Sequence, residues 1–294
     1  MDTKSAFIAV AGSPNVGKST LVNRLVGEKV SIVSSKPQTT RNRLSGILTQ
    51  NGYQMVFIDT PGIFDAKNRL GEYMVKTAYE AVRNADAVLL VCDATRGADE
   101  RDKAVMGELV KKGVPVAAVV NKKDAAGVEK CEAAAAELKA AGADGVYVIS
   151  AKTGEGVTEL LEALKKYLKE GPLYYPEDYY TDQPERAIAA EIIREKALLL
   201  LREEVPHGIG VLIEKVSRRE ERDITDVCAV IICERETHKA IIIGRGGRQL
   251  KRIGSEARKD LEELFGTKVF LELFVKVEPS WRDSKRVMRE LGYE

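Results

Sequence analysis

"GSPNVGKST", residues 12–20, decides the fold. It fits G-x-x-x-x-G-K-[ST], grows out of the apolar run "FIAVAG" and opens "STLVNRLVG", whose apolar positions recur at helical spacing. The glycines let backbone N–H groups turn inward around phosphate oxygens, and the helix that follows adds partial positive charge at its N-terminus. A strand, a phosphate loop and a helix therefore begin an α/β sheet. Gly12, Ser13, Pro14, Asn15, Val16, Gly17, Lys18, Ser19 and Thr20 are the expected phosphate contacts, with Lys18 reaching the terminal phosphates and the Ser19 hydroxyl on magnesium.

Outward from that loop, "MVFIDT", "AVLLVCDA", "PVAAVVNKKD" and "GVYVISA" alternate with amphipathic segments as far as about residue 168. Such continuous apolar runs suit central strands of a mostly parallel sheet covered by helices on both faces. One pair differs. Asn51 and Gly52 separate "SGILTQ" from "YQMVFID", the signal for a tight hairpin, which predicts one antiparallel edge strand.

Three short motifs end three of these runs. "DTPG" contributes Asp59, Thr60, Pro61 and Gly62, with Asp59 holding magnesium through water and the Gly62 N–H meeting a γ-phosphate. "NKKD" contributes Asn121, Lys122 and Asp124. A carboxylate there accepts two hydrogen bonds from guanine, whereas adenine offers neither donor, and a buried acceptor left unpaired costs about 1–3 kcal/mol. Asp124 therefore selects GTP over ATP. "SAK" places Ser150, Ala151 and Lys152 where backbone N–H groups meet the guanine carbonyl. Alone, "DTPG" is also a tidy turn and "NKKD" a solvated strand end. All four motifs in order, each at the carboxyl end of a strand where open α/β sheets bind ligands, exclude that reading.

The chain has 294 residues, enough for two domains each with its own core. Residues 1–170 are assigned to the nucleotide domain and 171–184 to a linker, because "EGPLYYPEDYYTDQPE" holds three prolines and four tyrosines without periodicity. Its tyrosines are expected to pack against the flanking domains. Residues 185–279 then read helix (to about 204), two strands, short helix, glycine loop, helix, strand, an α+β order. Residues 280–294 form a C-terminal helix and tail, started by Pro279 and Ser280.

The second glycine loop is "GRGG", Gly244, Arg245, Gly246 and Gly247. Whole-chain charge, 46 basic against 45 acidic residues, favours no partner. Residues 235–259, however, carry eight basic residues against two acidic, a net of +6 beside one loop. That is the footprint of a nucleic-acid backbone site. G-x-x-G alone is a weak signal. Flanked by a short helix and by a helix with Leu250, Ile253, Ala257, Leu261 and Leu264 on one face, it matches a type II KH domain, which clamps about four single-stranded nucleotides. Arg245, Arg248, Lys251 and Arg252 are the expected RNA-binding charges, with bases in the groove between helix and strand. The loop lacks a G-K-[ST] ending, which disfavours a second nucleotide site.

No CxxC pair occurs among Cys92, Cys131, Cys228 and Cys233, so neither a disulfide nor zinc is expected. The N-terminal run is too short for a signal peptide or anchor, and no apolar stretch approaches the roughly 20 residues of a spanning helix, so a cytosolic protein is expected. His207 and His238 lie near no nucleophile motif.

The first half resembles the translation-factor class of Ras-like GTPases. In those relatives a glutamine just after the "DTxG" glycine orients the attacking water; here that position is Ile63, so intrinsic hydrolysis should be slow. "KPQTTRNR", Lys36 to Arg43, is the expected mobile switch. By resemblance to "TTR" switches Thr40 is the magnesium ligand, with Thr39 the second choice. The same resemblance gives Asn15 potassium beside the phosphates; the alternative, that Asn15 shapes the loop, stays open. Lys18, Thr40, Asp59 and Gly62 are the expected catalytic set.

Together, "GSPNVGKST", "QTTR", "DTPG", "NKKD", "SAK" and "IIIGRGG" resemble the bacterial Era GTPases over nearly the whole chain. The resemblance implies a P-loop GTPase domain followed by a type II KH domain, using GTP, GDP and magnesium. It implies binding near the 3′ end of 16S ribosomal RNA and assistance to small-subunit assembly and rRNA maturation as a GTP-dependent switch. It also implies a monomer that associates peripherally with the inner face of the cell membrane. The alternative is an RNA-binding module whose nucleotide site is regulatory with little turnover, kept open by Ile63.

Overall fold

The computed structural model describes residues 3–34, 36, 39–202, 205–219 and 222–293. Pro37 and Gln38 of the expected switch, and the His207 side chain, lie outside the described residues. The chain forms two compact units: Met1–Val33, Thr40–Asp65 and Met74–Asp182 make the first, and Ser34–Thr39, Ala66–Tyr73 and Gln183–Glu294 the second.

The first sheet holds β1 (Lys4–Ala11), β2 (Leu44–Gln50), β3 (Tyr53–Asp59), β4 (Ala87–Asp93), β5 (Val116–Asn121) and β6 (Gly145–Val148) in the order β2-β3-β1-β4-β5-β6. β2 runs antiparallel to β3, while the β1–β3, β1–β4, β4–β5 and β5–β6 pairs are parallel. Asn51 and Gly52 both take positive φ, 47° and 79°, as the predicted tight hairpin demands. α1 (Lys18–Val26), α2 (Arg69–Arg83), α3 (Glu100–Lys111), α4 (Val128–Ala140) and α5 (Val157–Leu164) supply the crossovers. Alternate residues of the central strands enter separate cores. Ile8, Val10, Leu89 and Val119 join Leu21, Leu25 and Leu160 in one, whereas Ala9, Leu90 and Val120 join Met106, Cys131 and Leu138 in the other. Burial on both faces is why these strands read as unbroken apolar runs.

A two-residue strand, β7 (Lys169–Glu170), adds an antiparallel pair to β1 that nothing in the sequence foreshadowed. Beyond it the tyrosine-rich stretch is a strap on this unit. Thr3 and Ser5 hydroxyls donate to the carbonyls of Gly171 and Pro172, both at 2.7 Å. The Gln54 side-chain oxygen accepts from the N–H groups of Tyr174 and Tyr175 at 2.8 and 3.0 Å. Tyr174 lies 4.5 Å from the Phe7 ring, and the Ile47 N–H donates to Tyr180 at 2.8 Å.

The second unit contains α6 (Glu185–Leu200), β8 (Gly210–Arg219), β9 (Ile224–Cys233), α7 (Glu236–Ile243), α8 (Arg248–Phe265), β10 (Lys268–Val277) and α9 (Lys285–Glu290). α6 stops at Leu200, short of the expected 204, where Leu201 turns extended; Pro206 could not have donated to a continuing helix. The sheet order is β10-β9-β8, with β9 antiparallel to β8 and parallel to β10. Ile193, Ala197, Ile253, Ala257 and Leu261 from the helices and Val211, Ala229, Ile231 and Val269 from the strands make one core. Trp281 is fully buried, and its indole N–H donates to the Gly208 carbonyl at 2.9 Å. Among the described residues no helix is long and apolar enough to cross a membrane.

Candidate functional site

The phosphate loop joins β1 to α1, and its glycines are there for space. A Cβ on Gly12 (φ 139°) would come within 2.2 Å of the Val91 carbonyl oxygen, and one on Gly17 (φ 98°) within 2.3 Å of the Asn121 amide nitrogen. Asn15 also takes a positive φ, 64°. Val16 is buried in the first core. Lys18 is buried, its ammonium donating to the carbonyls of Gly12 and Ser13 at 3.2 and 3.0 Å. Burial lowers its pKa to about 8, against the opposing pull of Asp59 and Asp102.

Three oxygen-bearing side chains converge at the start of α1. The Ser19 and Thr40 hydroxyls are 3.0 Å apart, and Thr40 Oγ1 donates to Asp59 Oδ2 at 3.4 Å. Asp59 is fully buried, which raises its pKa, and its Oδ1 has no hydrogen-bond partner. Two hydroxyls and a carboxylate with an unsatisfied buried oxygen form a hard-oxygen set that fits magnesium. Thr39 is turned away, its hydroxyl donating to the Lys36 carbonyl at 2.7 Å. The Thr60 hydroxyl donates to the Val10 carbonyl at 2.8 Å, and Gly62 lies so close to Pro14 that a Cβ would come within 2.8 Å of the ring and backbone nitrogen. Pro61 is buried between them, and Ile63 donates from its N–H to the Gly12 carbonyl at 3.2 Å.

The strand ends are cross-linked into one rim. The Asn121 side chain donates to the Val16 carbonyl at 2.8 Å and accepts from the Ala151 N–H at 2.9 Å. Ser150 donates to Asp124 Oδ1 at 2.7 Å, fixing that carboxylate. Lys122, held at φ 66°, reaches back to the Asn15 carbonyl at 2.7 Å. A cavity of about 300 Å³ beside the loop is lined by Thr20, Asn23, Arg24, Lys29, Val33 and Ala151. Arg24 donates to the carbonyls of Ala151 and Lys152 at 3.3 and 2.7 Å, tying α1 to the third motif.

Two acids that sequence reasoning missed support this rim. Asp93, at the end of β4, pairs with Lys122 at 2.6 Å. Asp102 accepts from the Ser13 hydroxyl at 3.3 Å while its other oxygen completes the capping box of α3; burial first, then Asp99, raises its pKa.

In the second unit, Gly244, Gly246 and Gly247 all have positive φ, 72°, 58° and 75°. A Cβ on Gly244 would strike Gln249 at 2.7 Å, whereas one on Gly246 or Gly247 would meet nothing. The loop is therefore tight at its entry and open at its tip. A groove of about 430 Å³ runs from it between α8 and β10, lined among others by Gly247, Leu250, Lys251, Arg258, Leu271 and Leu273. Arg245, Arg248 and Arg252 are exposed but outside that lining. Arg258, which was not among the expected contacts, faces the groove about two turns beyond Lys251.

Residues 7–122 match the family model described as 50S ribosome-binding GTPase, and residues 204–282 match the KH domain model. The chain is 47% identical over its full length to the GTPase Era of Alkaliphilus oremlandii, all of which is covered. It is 49% identical, again over its full length, to that of Caldicellulosiruptor saccharolyticus, of which 98% is covered. Two solved structures are 41% identical with a TM-score of 0.95 and 99% of both chains covered. One is an Aquifex aeolicus Era variant bound to GDP and AlF4−; the other is an Era in complex with MgGDPNP and nucleotides 1506–1542 of 16S ribosomal RNA.

Proposed function

This chain belongs to the Era GTPase family, and on that premise we propose that its GTP state governs how its KH unit takes the 3′ region of 16S ribosomal RNA during small-subunit assembly. It is a GTPase, with a P-loop domain and a KH domain. The observation that carries the reading is the meeting of Thr40 with Ser19 and Asp59, because a switch threonine placed there can sense a γ-phosphate.

Roles follow from position. Residues Gly12 to Thr20 cradle the phosphates, and Lys18 supplies the cation that faces them. Ser19 and Thr40 would hold magnesium directly and Asp59 through water; the metal neutralises charge developing on the β- and γ-oxygens. Gly62, kept close to Pro14, presents its N–H to the γ-phosphate. Asp124, oriented by Ser150, reads guanine, while Asn121 and Lys122 lock that reader to the loop. Ile63 cannot position water, so intrinsic turnover is slow. Asn15 is exposed beside the phosphates, where its side-chain oxygen would help hold potassium. Arg245, Arg248, Lys251 and Arg252 grip the RNA backbone. The division at 1–170, 171–184, 185–279 and 280–294 is the domain reading we adopt. Peripheral contact with an anionic membrane face is compatible with the same basic loop.

The test is binding of a labelled single strand from the 3′ end of 16S ribosomal RNA to protein loaded with GDP or with a non-hydrolysable GTP analogue. Tighter binding in the GTP state, lost in Gly246→Asp, is expected; a Cβ there meets no neighbour and aspartate enters the left-handed region more readily than most residues, and an intact thermal transition in the variant separates loss of RNA contact from loss of fold. Equal affinity in both states overturns the switch.

A further inference from the structure

The KH groove ends at an edge strand, and the opposite face of that strand is not part of any core. Along β10, Val269, Leu271, Leu273, Val275 and Val277 turn toward α8 and the core, while Phe270, Glu272, Phe274 and Lys276 turn to the other face. Phe270 and Phe274 are 50% and 53% exposed, unusual for phenylalanine on a regular strand. Phe270 is also one of the residues lining the groove, so the two surfaces meet at β10.

We propose that Phe270 and Phe274 form a second base-stacking platform, on which single-stranded RNA leaving the groove folds around the edge of β10. The proposal rests on the RNA reading given above. A G-x-x-G clamp holds about four nucleotides, and a longer strand leaving the groove at Phe270 meets the outer face of β10 next. Charge and geometry favour bases over an apolar protein partner. The two rings are separated by Glu272 and flanked by Lys276 and by Asp226, the residue paired with Phe270 across the sheet. Such rings do not make the contiguous apolar patch a protein interface needs. Isolated aromatic faces amid charge are what single bases stack on. Arg219 completes the platform: Asp226 grips its guanidinium at 2.6 to 3.0 Å, and the guanidinium lies 5.5 Å from the Phe270 ring centre. That pairing neutralises the nearest acid and presents a planar cation beside the ring, a second surface for a base.

The test compares full-length wild type, Phe274→Ala and Gly246→Asp, using fluorescence anisotropy. Two single-stranded probes from the 3′ region of 16S ribosomal RNA are used, one of about four nucleotides, matched to the clamp, and one about three times longer. Phe274→Ala, which leaves the groove-lining Phe270 in place, is expected to bind the long probe roughly tenfold or more weakly, in line with the loss of aromatic stacking, and the short probe as wild type does. Phe274→Tyr should keep the long-probe affinity and Phe274→Leu should not, since leucine keeps apolar area without a π-face. An unchanged long-probe affinity, equal loss on both probes, or wild-type affinity in Phe274→Leu would each overturn the platform. Gly246→Asp reports separately: if it leaves both probes bound as tightly as wild type, the RNA reading itself fails, whatever the phenylalanines do.

Discussion

The Asp93 carboxylate holds the Lys122 ammonium at 2.6 Å, and that lysine in turn donates to the Asn15 carbonyl of the phosphate loop at 2.7 Å. Asp93 is 6% exposed and also accepts from the Thr95 N–H and hydroxyl at 2.9 and 2.6 Å. A guanine-reading motif and a phosphate loop are thus fastened by an acid that belongs to neither. Asp93→Asn keeps the shape but not the charge. It should weaken GDP and GTP alike by about tenfold, as expected for one partly buried charged hydrogen bond, while kcat at saturating GTP stays within about twofold. In a Lys122→Met background the same substitution should cost little, because the partner is gone. An equal cost in both backgrounds would show that Asp93 acts on general stability instead.

That pair also sets a pH dependence. Burial pushes the Asp93 carboxyl up, but Lys122 and Thr95 outweigh it and leave it below the usual carboxylate value. A depressed carboxyl contributes stability that is complete above the unfolded value, about 3.9, and is lost as pH falls through the folded one. Thermal unfolding between pH 6 and pH 3 should therefore decline less steeply in Asp93→Asn than in wild type, from a lower starting Tm. Parallel pH profiles would remove Asp93 as a contributor.

Thr39 and Thr40 are neighbours with opposite engagements, one on the Lys36 carbonyl and the other on Ser19 and Asp59. Thr40→Ala should lower single-turnover GTP hydrolysis by about 10²-fold, the scale of losing one electrostatic contact to the reacting phosphate, and raise the magnesium concentration needed. Thr39→Ala should change hydrolysis by less than about threefold. A reversed ranking would move the metal ligand to Thr39.

Much of this was legible because the chemistry is local. The phosphate loop, Asp59, Asn121 and Asp124 each sit where a strand ends, and Asn51-Gly52 dictates a hairpin whatever surrounds it. The choice between Thr39 and Thr40 was not local, since their spacing is identical and only the partners differ. Asp93 and Asp102 carried no motif: their partners lie 29 and 89 residues away, and a strand-end acid or a helix-cap acid has an ordinary use without them. β7 was invisible for another reason, as two residues show no period. Phe270 and Phe274 drew no notice in the sequence, because alternation does not say which face of a three-stranded sheet is covered.

Gly12 and Gly113 separate space from conformation. Both have positive φ, 139° and 69°, but a Cβ on Gly12 would sit 2.2 Å from the Val91 oxygen, while one on Gly113 meets nothing. Gly113→Ala should cost about 1 kcal/mol, the price of a left-handed alanine. Gly12→Ala must also move β4 backbone, and should cost roughly 2 kcal/mol or more with loss of GDP binding. Denaturant midpoints and GDP titrations of the two variants measure the difference; equal costs would mean that the loop can shift without strain.

Potassium is the sharpest remaining question about turnover. Ile63 has no polar side chain with which to orient water, so charge stabilisation at the phosphates carries more of the expected rate. Asn15 stands at the exposed tip of the phosphate loop in a left-handed conformation, its carbonyl accepting from Lys122, and a cation beside the phosphates would lie within reach of its side-chain amide oxygen. A monovalent ion there would neutralise transition-state charge as an arginine would. GTP hydrolysis should then be about tenfold or more faster in KCl than in NaCl at equal ionic strength, and Asn15→Ala should erase the difference while leaving GDP affinity within about threefold. Equal rates in the two salts would leave Asn15 as a residue that shapes the loop, and would direct the search for the missing charge to a group supplied with the bound RNA.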